Sequence, residues 1–162
     1  GKLQLIISKI GRGVAWLVLA MVLLIFLVVV QRYVFNAGSI ALQESVTYLH
    51  ALVFMLAAAW TLSEDGHVRV DIFYREASPR RKAWVNLLGS LVFLLPFAGF
   101  MLLGSWDYVS ASWAVHEGSR EAGGLPLVWL LKSLIPLFAL VLIVQGLLLV
   151  LKSFTQIRSP AG

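Results

Sequence analysis

Cysteine is absent from all 162 residues, which excludes disulfides, thiolate metal sites and thiol nucleophiles. Charge is nearly as scarce: 13% of the residues are Asp, Glu, Lys or Arg, against about 25% in soluble domains. The sequence also lacks a phosphate-binding loop, a nucleophile with a base beside it, and any metal-ligand spacing, so neither an enzyme nor a bound cofactor or metal is expected. What it has in abundance is apolar, with 60% hydrophobic residues and a mean hydropathy of +0.89. One domain, residues 1–162, fits the length, but a soluble domain of that size cannot hide so much apolar surface. Lipid must be part of its solvent. The net charge of +5 would point to nucleic acid in a soluble protein; here its placement matters more than its sum, and no nucleic-acid partner is expected.

A helix needs about 20 residues to cross a hydrocarbon core of roughly 30 Å. Val14 to Val30 is an unbroken apolar run that extends to Phe35, too long for a signal peptide and without a small-residue cleavage site. Ala41 to Leu62 is a second run, containing Glu44 and His50. Ala83 to Trp106 carries no charge, and Leu127 to Leu151 carries only Lys132. The expected fold is all-α and integral to the membrane, with four transmembrane helices at about 14–35, 41–62, 83–107 and 127–151. Lys and Arg set the orientation. Lys2, Lys9, Arg12, Arg69, Arg75, Arg80, Arg81, Lys82, Lys152 and Arg158 fall on one side, while Arg32, Arg120 and Lys132 fall on the other. The positive-inside rule then puts both termini and the middle loop in the cytoplasm. Trp16, Trp60 and Trp84 lie at the inner ends and Trp106, Trp113 and Trp129 at or beyond the outer ends, where aromatic belts belong.

The densest charge lies in the middle loop. Ser78-Pro79 reads as an N-cap followed by proline at the first helical position, and Arg80, Arg81 and Lys82 would hold that end against anionic headgroups. Ahead of them His67, Val68, Arg69, Val70, Asp71 and Ile72 alternate polar and apolar. A lone strand has no sheet to join, so this is expected as a short cytoplasmic segment lying along the membrane surface or against a partner.

Three charged residues fall at outer-leaflet depth: Arg32, Glu44 and Lys132. Such groups are costly there unless neutralised, so Glu44 is expected to pair with Arg32 or Lys132. His50 lies deeper, and with Gln43 and Thr47 forms a polar stripe at i, i+4 and i+7, suited to contact between helices. His67 and His116 fall in loops on opposite sides, which leaves no intramembrane histidine pair for haem. Pro96 and Pro136 can each kink a helix, but they do not occupy matching places and no internal repeat is visible. Too few polar groups remain to line a hydrated route.

The sequence resembles the small membrane subunit of tripartite ATP-independent periplasmic (TRAP) transporters across all four spans. The resemblance rests on "RYVFN" (Arg32 to Asn36) ending span one, Glu44 opening span two, "HVRVD" (His67 to Asp71) after span two, and "GGLPLVWLLKSLIP" (Gly123 to Pro136) leading into span four. Leu42 stands where the family often has tryptophan, and Leu137-Phe138 follow "IP" where glycine is common. The resemblance implies a bacterial inner-membrane scaffold subunit of a sodium-coupled importer of organic acid anions, paired with a much larger membrane subunit that carries the substrate. A periplasmic binding protein would deliver that substrate. Gly123, Gly124 and Pro126 are then expected to form a tight periplasmic turn, which with Trp129, Arg120 and Glu121 could face the binding protein. His67, Arg69 and Asp71 would brace the cytoplasmic side. Two other readings compete. A small four-helix exporter would place a glutamate within span one, where this chain has none. A respiratory membrane anchor would need paired intramembrane histidines.

Overall fold

The computed structural model describes residues 2–63 and 74–159, and every regular element among them is helical. In order come α1 (Lys2–Tyr33), α2 (Ile40–Ser63), α3 (Pro79–Gly89), a π-helical turn (Ser90–Leu94), α4 (Leu95–Ala114), the short α5 (Val128–Lys132) and α6 (Leu134–Arg158). Four stretches are long and apolar enough to cross a membrane: Ser8–Tyr33, Ile40–Ala58, Pro79–Ala114 and Val128–Arg158. The expected all-α membrane fold with four crossings is therefore what is found. The first and last helices outrun their apolar cores because the flanking Lys9, Arg12 and Lys152 are good helix formers with stems long enough to reach water.

Local chemistry sets the helix ends. Ser78 has an extended backbone and accepts a hydrogen bond from the Arg81 N–H at 3.3 Å, with Pro79 opening α3. The Asn86 amide donates to the Tyr74 hydroxyl at 3.1 Å, tying the residues ahead of α3 to its second turn. At the end of α1, Asn36 takes φ 49° and the Ala37 N–H reaches back to the Gln31 carbonyl at 2.9 Å. That bond reaches back six positions, one further than the Schellman closure, and asparagine tolerates the left-handed position better than most residues.

Both prolines mark irregularities. Pro96 offers no N–H, and its ring crowds the carbonyl four residues back; the wide π turn lies directly ahead of it. Pro136 is the third residue of α6, inside the first turn where a missing N–H costs nothing, and the helix is interrupted just before it at Ser133.

α1 packs on α2, α2 also meets α6, and α6 meets α3 and α4, so α2 and α6 form the middle of the bundle. The most covered positions are small: Ala83, Ala98 and Ala139 have no accessible surface. Small residues let membrane helices approach closely where burial against lipid supplies no driving force. Gly11 serves the same end, since a Cβ there would collide with the Trp60 indole. Most large apolar side chains instead face outward, with Phe93, Phe100 and Leu103 each at least three-quarters exposed.

Candidate functional site

The polar groups that the structure brings together lie in the loop between α4 and α5, and Glu44 organises half of it. Glu44 is one turn into α2. One carboxylate oxygen accepts the Ser119 hydroxyl, and the other accepts the Leu125 N–H at 2.7 Å. Ser119 is held from both sides, because its oxygen accepts the Glu121 N–H at 3.1 Å and its own N–H donates to the Leu125 carbonyl at 3.0 Å. The Gly124 N–H closes a turn onto the Glu121 carbonyl at 3.1 Å. Gly123 sits at φ 79°, a conformation that glycine adopts without steric cost. Gly124 is needed for another reason. A Cβ on it would overlap the Ser119 side chain and come within 2.8 Å of a Glu44 oxygen. The carboxylate thus clamps the loop through an approach that only glycine permits.

A second cluster fixes the same loop to α4 and α5. Glu117 accepts the Lys132 ammonium at 2.5 Å and the Ser112 hydroxyl at 2.8 Å, while Lys132 also lies 4.2 Å from the centre of the Tyr108 ring. The Lys132 hydrogen bond, followed by that from Ser112, holds the Glu117 carboxyl below its ordinary range, which keeps the pair charged at neutral pH. The Trp113 indole N–H donates to the Ser133 hydroxyl at 2.6 Å, and that hydroxyl donates to the Trp129 carbonyl at 2.8 Å. Trp129 packs edge-on against Trp113, their ring centres 4.6 Å apart, and its indole N–H reaches the Pro126 carbonyl at 3.2 Å. Arg120 and Glu121 stay exposed at the loop's rim.

The expected charge cluster of Arg32, Glu44 and Lys132 needs correction. Lys132 is taken by Glu117, Arg32 is exposed, and among the described residues no ion pair joins either cation to Glu44. Neutral donors satisfy the glutamate, one of them a backbone N–H. The expected contact of Gln43, Thr47 and His50 with a neighbouring helix is not seen among the described residues: all three are exposed, and His50 stacks on Phe54 of its own helix. Gly123 and Gly124 do form the expected turn, and Trp129 is packed against it. His67, Arg69 and Asp71 lie outside the described residues. The sequence reading missed Ser112, Glu117, Ser119 and Ser133. Only Glu117, a charge just beyond an apolar span, carried a signal that could have found it.

The sequence model of the family described as "Tripartite ATP-independent periplasmic transporters, DctQ component" matches residues 21–156. The chain belongs to this family. A relative, the C4-dicarboxylate TRAP transporter small permease protein DctQ of Vibrio cholerae serotype O1, is 30% identical over 95 residues. That match covers 59% of this chain and 40% of the relative, so the chain spans well under two thirds of the curated protein it resembles. No solved structure shows a significant match. The family is one of transporter components, and the matched region runs from within α1 almost to the end of α6, including both halves of the clamped loop.

Proposed function

We propose that this chain is the scaffold-forming small subunit of a sodium-coupled secondary transporter in the bacterial inner membrane. It would pair with a large membrane subunit that carries an organic acid anion delivered by a periplasmic binding protein. Family membership supports the subunit assignment, and the relative's name supports an acid anion as cargo. The observation that carries the scaffold role is the distribution of surface. The helices meet one another through a few small apolar residues such as Ala83, Ala98 and Ala139, while large apolar side chains on α1, α3 and α4 point away from the bundle. A carrier needs polar groups gathered around a route. A scaffold needs broad apolar flanks for lipid and a partner to cover.

The distribution of Lys and Arg supports a cytoplasmic position for the termini and the loop between α2 and α3. The α4–α5 loop then lies on the periplasmic side, where Glu44 holds it in shape and the exposed Arg120 and Glu121 are offered to the binding protein. The segment His67 to Asp71 braces the cytoplasmic side. Co-expression with a large membrane subunit of this transporter family from the same organism tests the assignment. A one-to-one complex is expected after detergent extraction, and recovery of this chain only alone or with copies of itself would overturn it.

A further inference from the structure

The bundle does not offer a uniform surface to its surroundings. Between Trp16 and Gln31 the exposed side chains of α1 are valine, leucine, isoleucine and phenylalanine. From Val85 to Leu103 the exposed side chains of α3 and α4 are apolar too, as are those of α6 from Leu137 to Leu151. Acyl chains can cover all of these. α2 differs from those stretches: Gln43, Thr47 and His50 are exposed on it at a spacing that sets them along one stripe. Phe54, at 69% exposure, continues the stripe, with its ring 6.3 Å from that of His50.

Depth makes the stripe costly in lipid. His50 is ten residues into α2, about 15 Å along the helix at the usual rise, too far for a short imidazole to reach the headgroups. A neutral imidazole presents one donor and one acceptor, and a glutamine amide presents both kinds. Burying such groups without partners costs free energy that hydrocarbon cannot return. The Thr47 hydroxyl turns back to the Gln43 carbonyl at a marginal 3.5 Å. Among the described residues, no hydrogen bond joins Gln43, Thr47 or His50 to another helix.

We infer that the stripe Gln43, Thr47 and His50 is the face on which the large membrane subunit docks, through a transmembrane helix that places hydrogen-bonding side chains opposite them. The identity of the partner rests on the function proposed above; the choice of face rests on the stripe. A protein helix is the membrane component able to offer fixed donors and acceptors at that depth, and polar contacts between helices are a common adhesive there. Phe54 would seal the contact on the cytoplasmic side of His50.

The test uses the full chain co-expressed with the large subunit and carrying the photoreactive residue benzoylphenylalanine at Thr47 or His50, or at the lipid-facing controls Phe26 and Leu103. Irradiation should join the large subunit to positions 47 and 50 about tenfold more than to 26 and 103. In a pair that co-purifies, adducts from the controls but not from 47 and 50 would overturn the face while leaving the subunit assignment standing. Adducts between two copies of this chain would overturn it in favour of self-association. Failure to co-purify at all would remove the assignment and the face with it. As a second measurement, the double variant Gln43→Leu, His50→Leu should lower recovery of the large subunit about tenfold, the order that two interhelical hydrogen bonds supply. The isolated variant should melt like the parent, since both side chains are exposed and, among the described residues, neither bonds to another helix of this chain. Unchanged recovery would overturn the inference.

Discussion

Gly124→Val is expected to lower the melting temperature in detergent by several degrees and to free the α4–α5 loop, read as faster tryptic cleavage after Arg120. The new side chain would have to enter space held by Ser119 and by the Glu44 oxygen that accepts the Leu125 N–H. Overpacking of this kind costs about 1–3 kcal/mol, and here the strain falls on the hydrogen bonds that fix the loop. Gly123→Ala provides the comparison. Its Cβ would face open space, so it tests the left-handed backbone alone and should loosen the loop less. If Gly124→Val matched the parent in both melting and cleavage, the close approach of loop to carboxylate would be wrong.

The second large effect is expected at Glu44. An alanine there leaves the Leu125 N–H without its acceptor and removes the anchor of Ser119. The cost of such a change lies mainly in the donors left unmade. Glutamine keeps the shape and one carbonyl oxygen for the Leu125 N–H, but its amide nitrogen can only donate, so the Ser119 hydroxyl loses its acceptor. Cleavage after Arg120 should therefore be slowest in the parent, intermediate in Glu44→Gln and fastest in Glu44→Ala, with melting temperature falling in the same order. A glutamate acting through charge on Lys132 or Arg32 would give a different pattern, with glutamine as damaging as alanine. That outcome would restore the ion pair expected from sequence.

The contrast between these readings of Glu44 shows where sequence reasoning stops. Four uncharged or nearly uncharged runs dictate four helices, because lipid accepts little else, and Ser78-Pro79 and Gly123-Gly124 dictate a cap and a turn through backbone chemistry local to them. A long-range partner is different. Lys132 and Glu44 share a depth, and charge matching alone would pair them. Yet Glu117 reaches Lys132 first, because the loop folds back over α5. One of the two donors that Glu44 does find is the N–H of Leu125, a group that every residue except proline carries, so no residue type marks it. The α2 stripe was visible as a period in the sequence, whereas its direction was not. Only the packing of α1 and α6 on α2 shows that Gln43, Thr47 and His50 face away from the other described helices. Pro96 signalled an irregularity in the third span without specifying a π turn as its form.

If cargo crosses in the larger partner and this chain only supports it, transport must follow the composition of the membrane. The direct measurement is sodium-driven uptake of a radiolabelled organic acid anion that the binding protein holds, into proteoliposomes containing this chain alone, or this chain with the large subunit and the binding protein. Uptake by the complete assembly, with none by the chain alone, is the predicted result. Uptake by the chain alone at a rate comparable to that of the assembly would contradict it.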